Sequence, residues 1–366
     1  MIKQNEKKIS DDRILQEDLE RLVYRSSLLN ELSGQTVFVT GATGLIGSQI
    51  VKTLALYNYI FHTNIKIIAL VRNEKKAKKI FSELLSDTNI IICIGDINKA
   101  IEVGENIDYI IHGASITSSK SFVNSPVETI MTAIMGTRNI LELAKNKSVK
   151  GFIYLSSLEV YGTPQKEGFI EEADYGYIDP LNVRSSYSEG KKMVECLCVS
   201  YATQYNIPVK IARLSQTFGA GVEYNDGRVF AEFARCAIEG KNIVLHTEGK
   251  TVRSYCYTSD AIDAIFYILL KGKKKEAYNV TNMETVISIR DMAQLVCQLN
   301  PDKNMQVEYD MPENIDSFGY NPEMIIKLDS SKLMNLGWKP VIQLREMFQR
   351  LIDSMKNGKN NFDRQT

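Results

Sequence analysis

Continuous apolar runs alternate with amphipathic stretches along much of the chain. Six runs predict strands: TVFVT (36–40), IKIIALV (65–71), NIIICIGDI (89–97), IDYIIHGAS (107–115), GFIYLSS (151–157) and VKIARLS (209–215). Between them, apolar residues recur at helical spacing, notably near 126–146 and over 187–205. Strands that are apolar throughout and alternate with helices are typical of an α/β fold whose parallel sheet is covered on both faces. We therefore predict a doubly wound parallel sheet.

The same pattern divides the chain into regions. They are a helical N-terminal extension (1–34), a sheet domain (35–215, with returning segments near 250–270), a smaller and mainly ligand-binding C-terminal lobe (216–350) and a polar tail (351–366). We interpret the amphipathic helix of the extension as an appendage that packs on the body of the protein or on a partner. The lobe is expected to close over the carboxyl ends of the strands, where open parallel sheets bind ligands.

Composition narrows the possible partners. The 44 basic and 44 acidic residues cancel, so no overall field favours nucleic acid or an anionic membrane. The 6 cysteines form no CxxC pair, and no metal site is predicted. No stretch reaches the roughly 18 apolar residues of a membrane span. The N-terminal residues lack the apolar segment of a secretory signal, so a cytoplasmic location is expected by default.

A glycine-rich turn follows the first strand. TGATGLIG (40–47) places glycines at every third position, between a strand and a helix. This arrangement is typical of dinucleotide binding, because glycine lets a pyrophosphate approach the amides at the helix N-terminus. The positions expected to line the dinucleotide are Gly41, Thr43, Gly44, Leu45, Ile46 and Gly47. The alternative is that the glycines serve only a tight strand-to-helix turn.

The end of the second strand bears on which dinucleotide binds. A carboxylate at this place would bind the ribose hydroxyls of NAD, whereas an arginine can pair with the 2′-phosphate of NADP. Here Val71 stands where the acid is expected, with Arg72 beside it. The position therefore leaves NADP possible. The lysines over 75–79 would suit NADP but are equally typical of a solvated helix face.

Tyr187 and Lys191 form a YxxxK pair. Four residues apart on a helix, they share one face, so phenol and ammonium can point into one site. The ammonium is expected to lower the tyrosine pKa. Tyr187 could then take a hydroxyl proton while hydride leaves the same carbon. The pair is weak evidence alone, but it follows the glycine turn and the Ser156–Ser157 strand end.

Together these motifs resemble the extended short-chain dehydrogenase/reductases, specifically the NAD-dependent epimerase/dehydratase family of nucleotide-sugar enzymes, over about residues 36–345. The resemblance implies a Rossmann-type fold, bound NAD, and a UDP-, dTDP-, CDP- or GDP-linked sugar as substrate. It also implies catalytic roles for Ser157, which would hydrogen-bond the reacting oxygen, and Glu159, which would orient the sugar or act as a base. A surface carboxylate is the alternative for Glu159. The further implied contacts are Asp96, Ile97, Ala114 and Lys191 for the cofactor and Ser115 for the substrate.

Several stretches look most like UDP-glucuronate decarboxylases. They are SPVETI (125–130), LEVYG (158–162), VRSSYSEGKKMVE (183–195), NDGRVFAEF (225–233) and TVRSYCYTSDAIDAI (251–265). This likeness implies that Arg228 faces the sugar carboxylate and that Arg253 grips the diphosphate. Either arginine could instead form a domain-closing ion pair. Gln216 stands where relatives carry an asparagine beside the sugar.

The shared motifs imply oxidation of the sugar at C4, and the ketone that results serves several reactions. Decarboxylation is favoured, followed by 4-epimerisation and then 4,6-dehydration; a dinucleotide sensor without turnover is the alternative from another class. Leu158 stands where dehydratases carry a proton-donating aspartate and decarboxylases a serine. By resemblance, the helix over 187–205 is also expected to help form a homodimer.

Overall fold

A computed structural model describes residues 7–299, 301–311 and 323–363. The strands are β1 (Thr36–Thr40), β2 (Lys66–Val71), β3 (Ile90–Ile94), β4 (Tyr109–His112), β5 (Gly151–Ser157), β6 (Phe169–Ile170), β7 (Val209–Leu214), β8 (Gln216–Phe218), β9 (Ile243–Leu245), β10 (Val252–Tyr257), β11 (Ala277–Val280), β12 (Asn282–Ser288), β13 (Val307–Tyr309) and β14 (Ile325–Leu328). The helices are α1 (Arg13–Arg25), α2 (Leu45–Phe61), α3 (Glu74–Ile80), α4 (Ser119–Asn124), α5 (Pro126–Lys147), α6 (Ser186–Tyr205), α7 (Val229–Glu239), α8 (Thr258–Lys271), α9 (Ile289–Cys297), α10 (Ser331–Met334) and α11 (Leu344–Asp363).

A 7-stranded sheet forms the centre of the larger domain, in the order β11-β7-β5-β4-β1-β2-β3. All of its neighbouring strands are parallel. Side chains alternate across it: Val39 packs beneath α2 and α8, whereas Phe38 packs beneath α5 and α6. The predicted Rossmann-type α/β class, with helices on both faces, is confirmed.

The smaller lobe has its own apolar core. Helices α7, α9 and α11 pack there against β8 and β10, and the rings of Phe218 and Phe230 stack with centroids 4.5 Å apart. Strand β10 lies between β12 and β14 and also pairs with β8. The boundary between the two domains differs from the prediction, which assigned the residues near 250–270 to the sheet domain. Helix α8 packs on the large sheet and β11 is its edge strand, whereas β10 belongs to the lobe.

The N-terminal extension is not an appendage. Asp12 caps α1 by accepting hydrogen bonds from the amides of Ile14 and Leu15, and the helix then buries Leu15 and Leu19 in the main core. The same helix contacts α2, α8 and α11. The helix was expected to pack on the body or on a partner, and its apolar stripe is buried within this chain. Residues 1–6 lie outside the described residues.

The expected polar tail over 351–366 is also corrected. Helix α11 continues through this segment to Asp363, and Leu351, Ile352 and Met355 are buried in the lobe core. Together with Met347 and Phe348 they repeat at helical spacing among polar residues, which makes the overall composition look hydrophilic. Residues 364–366 lie outside the described residues. None of the described helices is both long and apolar enough to cross a membrane.

Candidate active site

The glycine turn is shaped first by the chain's own backbone. Gly41 has a φ of +69°, a left-handed conformation that favours glycine, and a Cβ on it would lie 2.9 Å from the Ala114 amide nitrogen. A Cβ on Gly47 would lie 2.2 Å from the carbonyl oxygen of Gly41. Two of the three glycines are therefore required by the turn itself, as the alternative interpretation held.

Gly44 is different, because it is exposed at the N-cap of α2 and a Cβ there meets only the Gly41 oxygen, at 3.3 Å. The first amides of a helix have no intrahelical acceptor. The side chains of Leu45 and Ile46 pack against the lobe core and the main core, and Thr43 is half-buried in the turn. The open helix end fits the pyrophosphate of a dinucleotide.

A buried hydrogen-bond chain fixes the neighbouring strand end. Thr40 Oγ1 lies 2.7 Å from His112 Nδ1 and accepts a 3.1 Å hydrogen bond from the Ala114 amide. The other ring nitrogen of His112 lies 3.0 Å from Thr137 Oγ1. Burial lowers the pKa of His112 to about 3, so the ring is neutral. Thr40, His112 and Thr137 were not predicted as site residues. They position the loop that carries Ala114 and Ser115, where Ser115 Oγ lies 3.5 Å from the Ile116 carbonyl oxygen.

The residues expected near the adenosine lie at the ends of β2 and β3. Arg72 is exposed directly after the buried Val71. Asp96 Oδ1 accepts a 3.0 Å hydrogen bond from the Asn98 amide, and the buried Ile97 packs against Gly136 of α5. The parallel register places these positions at the same sheet edge as the glycine turn.

Helix α6 presents the YxxxK pair to the end of β5. Tyr187 lies beside Ser157, whose hydroxyl opposes the effect of burial on the tyrosine pKa, and Lys191 Nζ donates a 2.8 Å hydrogen bond to the carbonyl oxygen of Leu155. The Tyr187 ring stacks on Phe122, with centroids 4.3 Å apart and the planes inclined by 11°. The predicted pair and Ser157 are therefore brought together at the carboxyl end of the central strands.

The expected effect of Lys191 on Tyr187 is wrong for this arrangement. Desolvation raises the pKa of Tyr187, and the hydrogen bond from Ser157 acts in the opposite direction. Burial lowers the pKa of Lys191 to about 8, partly offset by the negative charge of Glu195. The ammonium nitrogen lies 5.7 Å from the Tyr187 ring centroid and is directed at the Leu155 carbonyl. Sequence spacing gives the shared face but not these competing contacts.

Glu159 and Arg253 form a contact between the two domains. Glu159 Oε1 lies 3.6 Å from Arg253 Nη1, and Glu159 Oε2 accepts a 3.4 Å hydrogen bond from Ser188. The Glu159 amide also donates to Ser157 Oγ at 3.2 Å. Arg253, on β10, is buried. The domain-closing ion pair considered for Arg253 is therefore present, and Glu159 is paired rather than an isolated surface carboxylate.

Three other expected positions are less closely joined to this cluster. Arg228 is partly exposed and forms a two-pronged contact with Asp226, at 2.7 and 3.0 Å. Gln216 is half-buried on β8, opposite Tyr255. Leu158 is 2% exposed and packs in a small apolar cluster with Ile326 and Leu328. Among the described residues, no group of three or more potential ligands could hold a metal ion.

Comparisons with known proteins identify the family of this chain. Residues 37–281 match the sequence model of the NAD dependent epimerase/dehydratase family. UDP-glucuronic acid decarboxylase 6 of Arabidopsis thaliana is 31% identical over 316 residues, covering 86% of this chain and 87% of the relative.

Solved structures show the same fold. The dTDP-glucose 4,6-dehydratase of Streptomyces venezuelae, with NAD and TYD bound, superposes with a TM-score of 0.74 at 20% identity, covering 89% of this chain and 98% of that one. The UDP-glucose 4-epimerase of Thermotoga maritima, with UDP-glucose, superposes with a TM-score of 0.73 at 20% identity, covering 88% and 99%. Because the family model matches well over half of its length, the chain belongs to the NAD-dependent epimerase/dehydratase family of enzymes.

Proposed function

We propose that this enzyme oxidises a nucleotide-linked sugar at C4 with bound NAD and then decarboxylates it, as expected for a UDP-glucuronate-type substrate. The observation that carries the proposal is the cluster of Tyr187, Ser157 and Lys191 at the sheet edge that also bears the open glycine turn. The decarboxylase relative, similar over most of both chains, supports the same reaction.

The cofactor would sit with its pyrophosphate on the N-terminus of α2 and would accept hydride from C4 and later return it. Tyr187 would take the C4 hydroxyl proton in its phenolate form. The Ser157 hydroxyl favours that form, against the desolvation that opposes it. Ser157 would also hold the C4 oxygen as it becomes a carbonyl.

A ketone at C4 makes the C5 carboxylate a β-keto acid. The bond from C5 to the carboxyl carbon then breaks, carbon dioxide leaves, and C5 takes a proton before the ketone is reduced again. Arg228 is the residue proposed to recognise the carboxylate and Arg253 the diphosphate. In the structure Arg228 contacts Asp226 and Arg253 contacts Glu159, so each arginine would have to exchange that carboxylate for the anionic group of the substrate.

One observation favours 4-epimerisation as the second candidate. Arg228 is engaged by Asp226, and an epimerase acting on a neutral sugar needs no free arginine for a carboxylate. Dehydration has less support. Its family pattern requires a proton donor where this chain has Leu158, a side chain that is apolar and buried.

The test is to incubate the purified protein with UDP-glucuronate, UDP-glucose, dTDP-glucose and their CDP and GDP counterparts, with NAD or NADP, and to follow products by mass spectrometry. Release of carbon dioxide from UDP-glucuronate supports the proposal. A product of unchanged mass but inverted C4 would establish epimerisation, and loss of water would establish dehydration. No change with any sugar, despite bound dinucleotide, would favour the sensor.

We also propose a cytoplasmic homodimer. All six cysteines are free thiols, as suits a reducing compartment. On the adjacent helices α5 and α6, the side chains of Val127, Met131 and Met193 are 65%, 47% and 56% exposed. A second copy of the chain would cover this apolar surface.

A further inference from the structure

Helix α6 contacts the end of β5 through three side chains, each one turn after the last. Tyr187 lies beside Ser157, Lys191 donates to the Leu155 carbonyl at 2.8 Å, and Glu195 accepts a 2.6 Å hydrogen bond from Ser156 Oγ. The first two side chains belong to the proposed chemistry. The third, Glu195, has no role in it so far, although it is buried on the same helix face.

Glu195 is held by a buried arginine. Arg213 on β7 donates to it through Nε at 3.0 Å and through Nη2 at 2.7 Å. A charge-assisted pair of this kind has little freedom to rotate. Both residues are less than one-tenth exposed. The carboxylate is therefore fixed in place, one helical turn beyond Lys191.

Arg213 is itself anchored from the other side. Its Nη1 donates to the Tyr161 hydroxyl at 2.9 Å and to the Glu172 carbonyl oxygen at 2.7 Å. Its Nη2 also donates to the Tyr175 hydroxyl, at 2.5 Å. The guanidinium is thus satisfied on both sides of its fork, and Oε1 of Glu195 accepts hydrogen bonds from both Arg213 Nε and Ser156 Oγ.

We propose that Glu195 is a positioning residue of this enzyme: it fixes the end of β5 against α6 and supplies a buried negative charge one helical turn from Lys191. The part concerning catalysis rests on the proposed function. Breaking the Ser156 contact would remove a side-chain anchor between α6 and the strand end that carries Ser157. Removing the charge would leave the ammonium of Lys191 in a less favourable setting.

The surroundings of Lys191 support this assignment. Its ammonium lies 4.7 Å from the Tyr154 ring centroid, and Cys198 and His112 face it from α6 and β4. His112 is neutral. Burial lowers the pKa of Lys191 to about 8, and Glu195 is the largest influence that raises it. The Tyr154 and Cys198 side chains are uncharged where Lys191 titrates, since burial raises the pKa of each.

The test measures Lys191 directly and needs no substrate. Protein labelled with ¹³C at the lysine ε-carbon is titrated by NMR, with Lys191→Arg and Lys210→Arg variants used for assignment. In Glu195→Gln the Lys191 midpoint should fall by about one pH unit. Lys210 is an internal reference, because burial and Lys274 lower its pKa to about 8 as well, while its Nζ donates to Leu269 on α8.

A matched variant controls for the substitution. Glu142 on α5 accepts a 2.6 Å hydrogen bond from the Tyr201 hydroxyl, so Glu142→Gln changes the same chemical group at a partly exposed position away from Lys191. It should leave the Lys191 midpoint unchanged. Glu195→Asp, which keeps the charge, should hold the midpoint near that of the wild type while the turnover number falls.

An unchanged Lys191 midpoint in folded Glu195→Gln would overturn the proposal, even if the variant melts at a lower temperature. If that variant does not fold because Arg213 is left without its partner, Glu195→Gln/Arg213→Gln removes both charges. The Lys191 midpoint should still fall in it, and no fall would again overturn the proposal. A shifted midpoint without turnover of any sugar would count against the proposed reaction only.

Discussion

Gly47 faces Gly41 so closely that a Cβ on Gly47 would lie 2.2 Å from the Gly41 carbonyl oxygen. The contact joins the first turn of α2 to the end of β1 without any ligand. We expect Gly47→Ala to lower the free energy of unfolding by about 1–3 kcal/mol, because backbone atoms must shift to accept the methyl group. Chemical denaturation of the protein without dinucleotide measures this loss.

Gly44→Ala is the matched comparison. Its new methyl group would meet only the Gly41 oxygen, at 3.3 Å, and its φ of −83° suits alanine. We expect a smaller stability loss but weaker NAD binding, measured by fluorescence titration, since Gly44 is the open position of the turn. Equal NAD affinity in Gly44→Ala and wild type would show that the turn is not part of the cofactor site.

Tyr187→Phe should lower the turnover number by about 10²–10⁴-fold, because the proton acceptor is lost. Dinucleotide binding should be retained, since the ring can still stack on Phe122. The measurement is the initial rate with the accepted sugar, alongside NAD titration. Tyr205→Phe, at the far end of α6, is the control and should keep the wild-type rate. Full activity of Tyr187→Phe would show that another group takes the proton.

The rate should decline as the pH rises through about 8, because the pKa of Lys191 is lowered to about 8 and its charge then disappears. In Lys191→Arg any remaining activity should persist to higher pH, because a guanidinium keeps its proton. A pH profile of the turnover number tests both expectations. An alkaline limb that does not move in Lys191→Arg would have to arise from another group.

The same titration affects stability with a defined sign. Between about pH 8 and 10.5 the unfolded chain keeps the Lys191 proton that the folded chain has released. The unfolded state binds more protons there, so the free energy of unfolding rises with pH, by up to about 3 kcal/mol. We expect wild type to gain that stability relative to Lys191→Met over this interval. Urea denaturation at several pH values measures this gain. If the difference in free energy of unfolding between the two proteins did not change with pH, the lowered pKa of Lys191 would be contradicted.

Substitutions of Arg228 and Arg253 should differ in which substrates they weaken. Arg228→Met is expected to weaken binding of UDP-glucuronate about tenfold, the loss of one charge-assisted contact, and to leave UDP-glucose unchanged. Arg253→Met should weaken both, because both carry the diphosphate. Binding calorimetry with the two sugars distinguishes the residues. Equal losses for both sugars in Arg228→Met would argue against its role at the carboxylate.

Met131→Glu and Met193→Glu should convert the proposed dimer to a monomer, because each places a charge in the middle of the exposed apolar surface of α5 and α6. Light scattering during gel filtration gives the mass. Val244→Glu, at a partly exposed position on β9 in the lobe, is the control and should leave the mass unchanged. A monomeric wild type would refute the dimer.

The sequence predicted the large sheet well, because its signal is local. Runs such as TVFVT and IKIIALV are apolar throughout, which parallel strands covered on both faces require. The segment over 351–363 was misjudged since its buried residues, Leu351, Ile352 and Met355, are a minority among polar ones. Only their helical spacing, continued from Met347, could have revealed the helix.

The sequence predicted which residues belong to the candidate site better than it predicted the contacts between them. Spacing placed Tyr187 and Lys191 on one helix face, but the hydrogen bond to the Leu155 carbonyl depends on tertiary packing. The same is true of the pair between Glu159 and Arg253, which are far apart in the chain. Glu195 could have been noticed, because it continues the spacing of four residues that joins Tyr187 to Lys191.

The position of α1 limits how the two domains can move. Asp18 on this helix lies 2.8 Å from Arg350 of the lobe and accepts a 2.6 Å hydrogen bond from Tyr257. Swinging the lobe away as a rigid body would separate buried, oppositely charged groups, which is strongly unfavourable. Substrate entry is therefore expected to depend on local rearrangement at the cleft, such as exchange of Arg253 between Glu159 and a diphosphate, with the domain angle conserved.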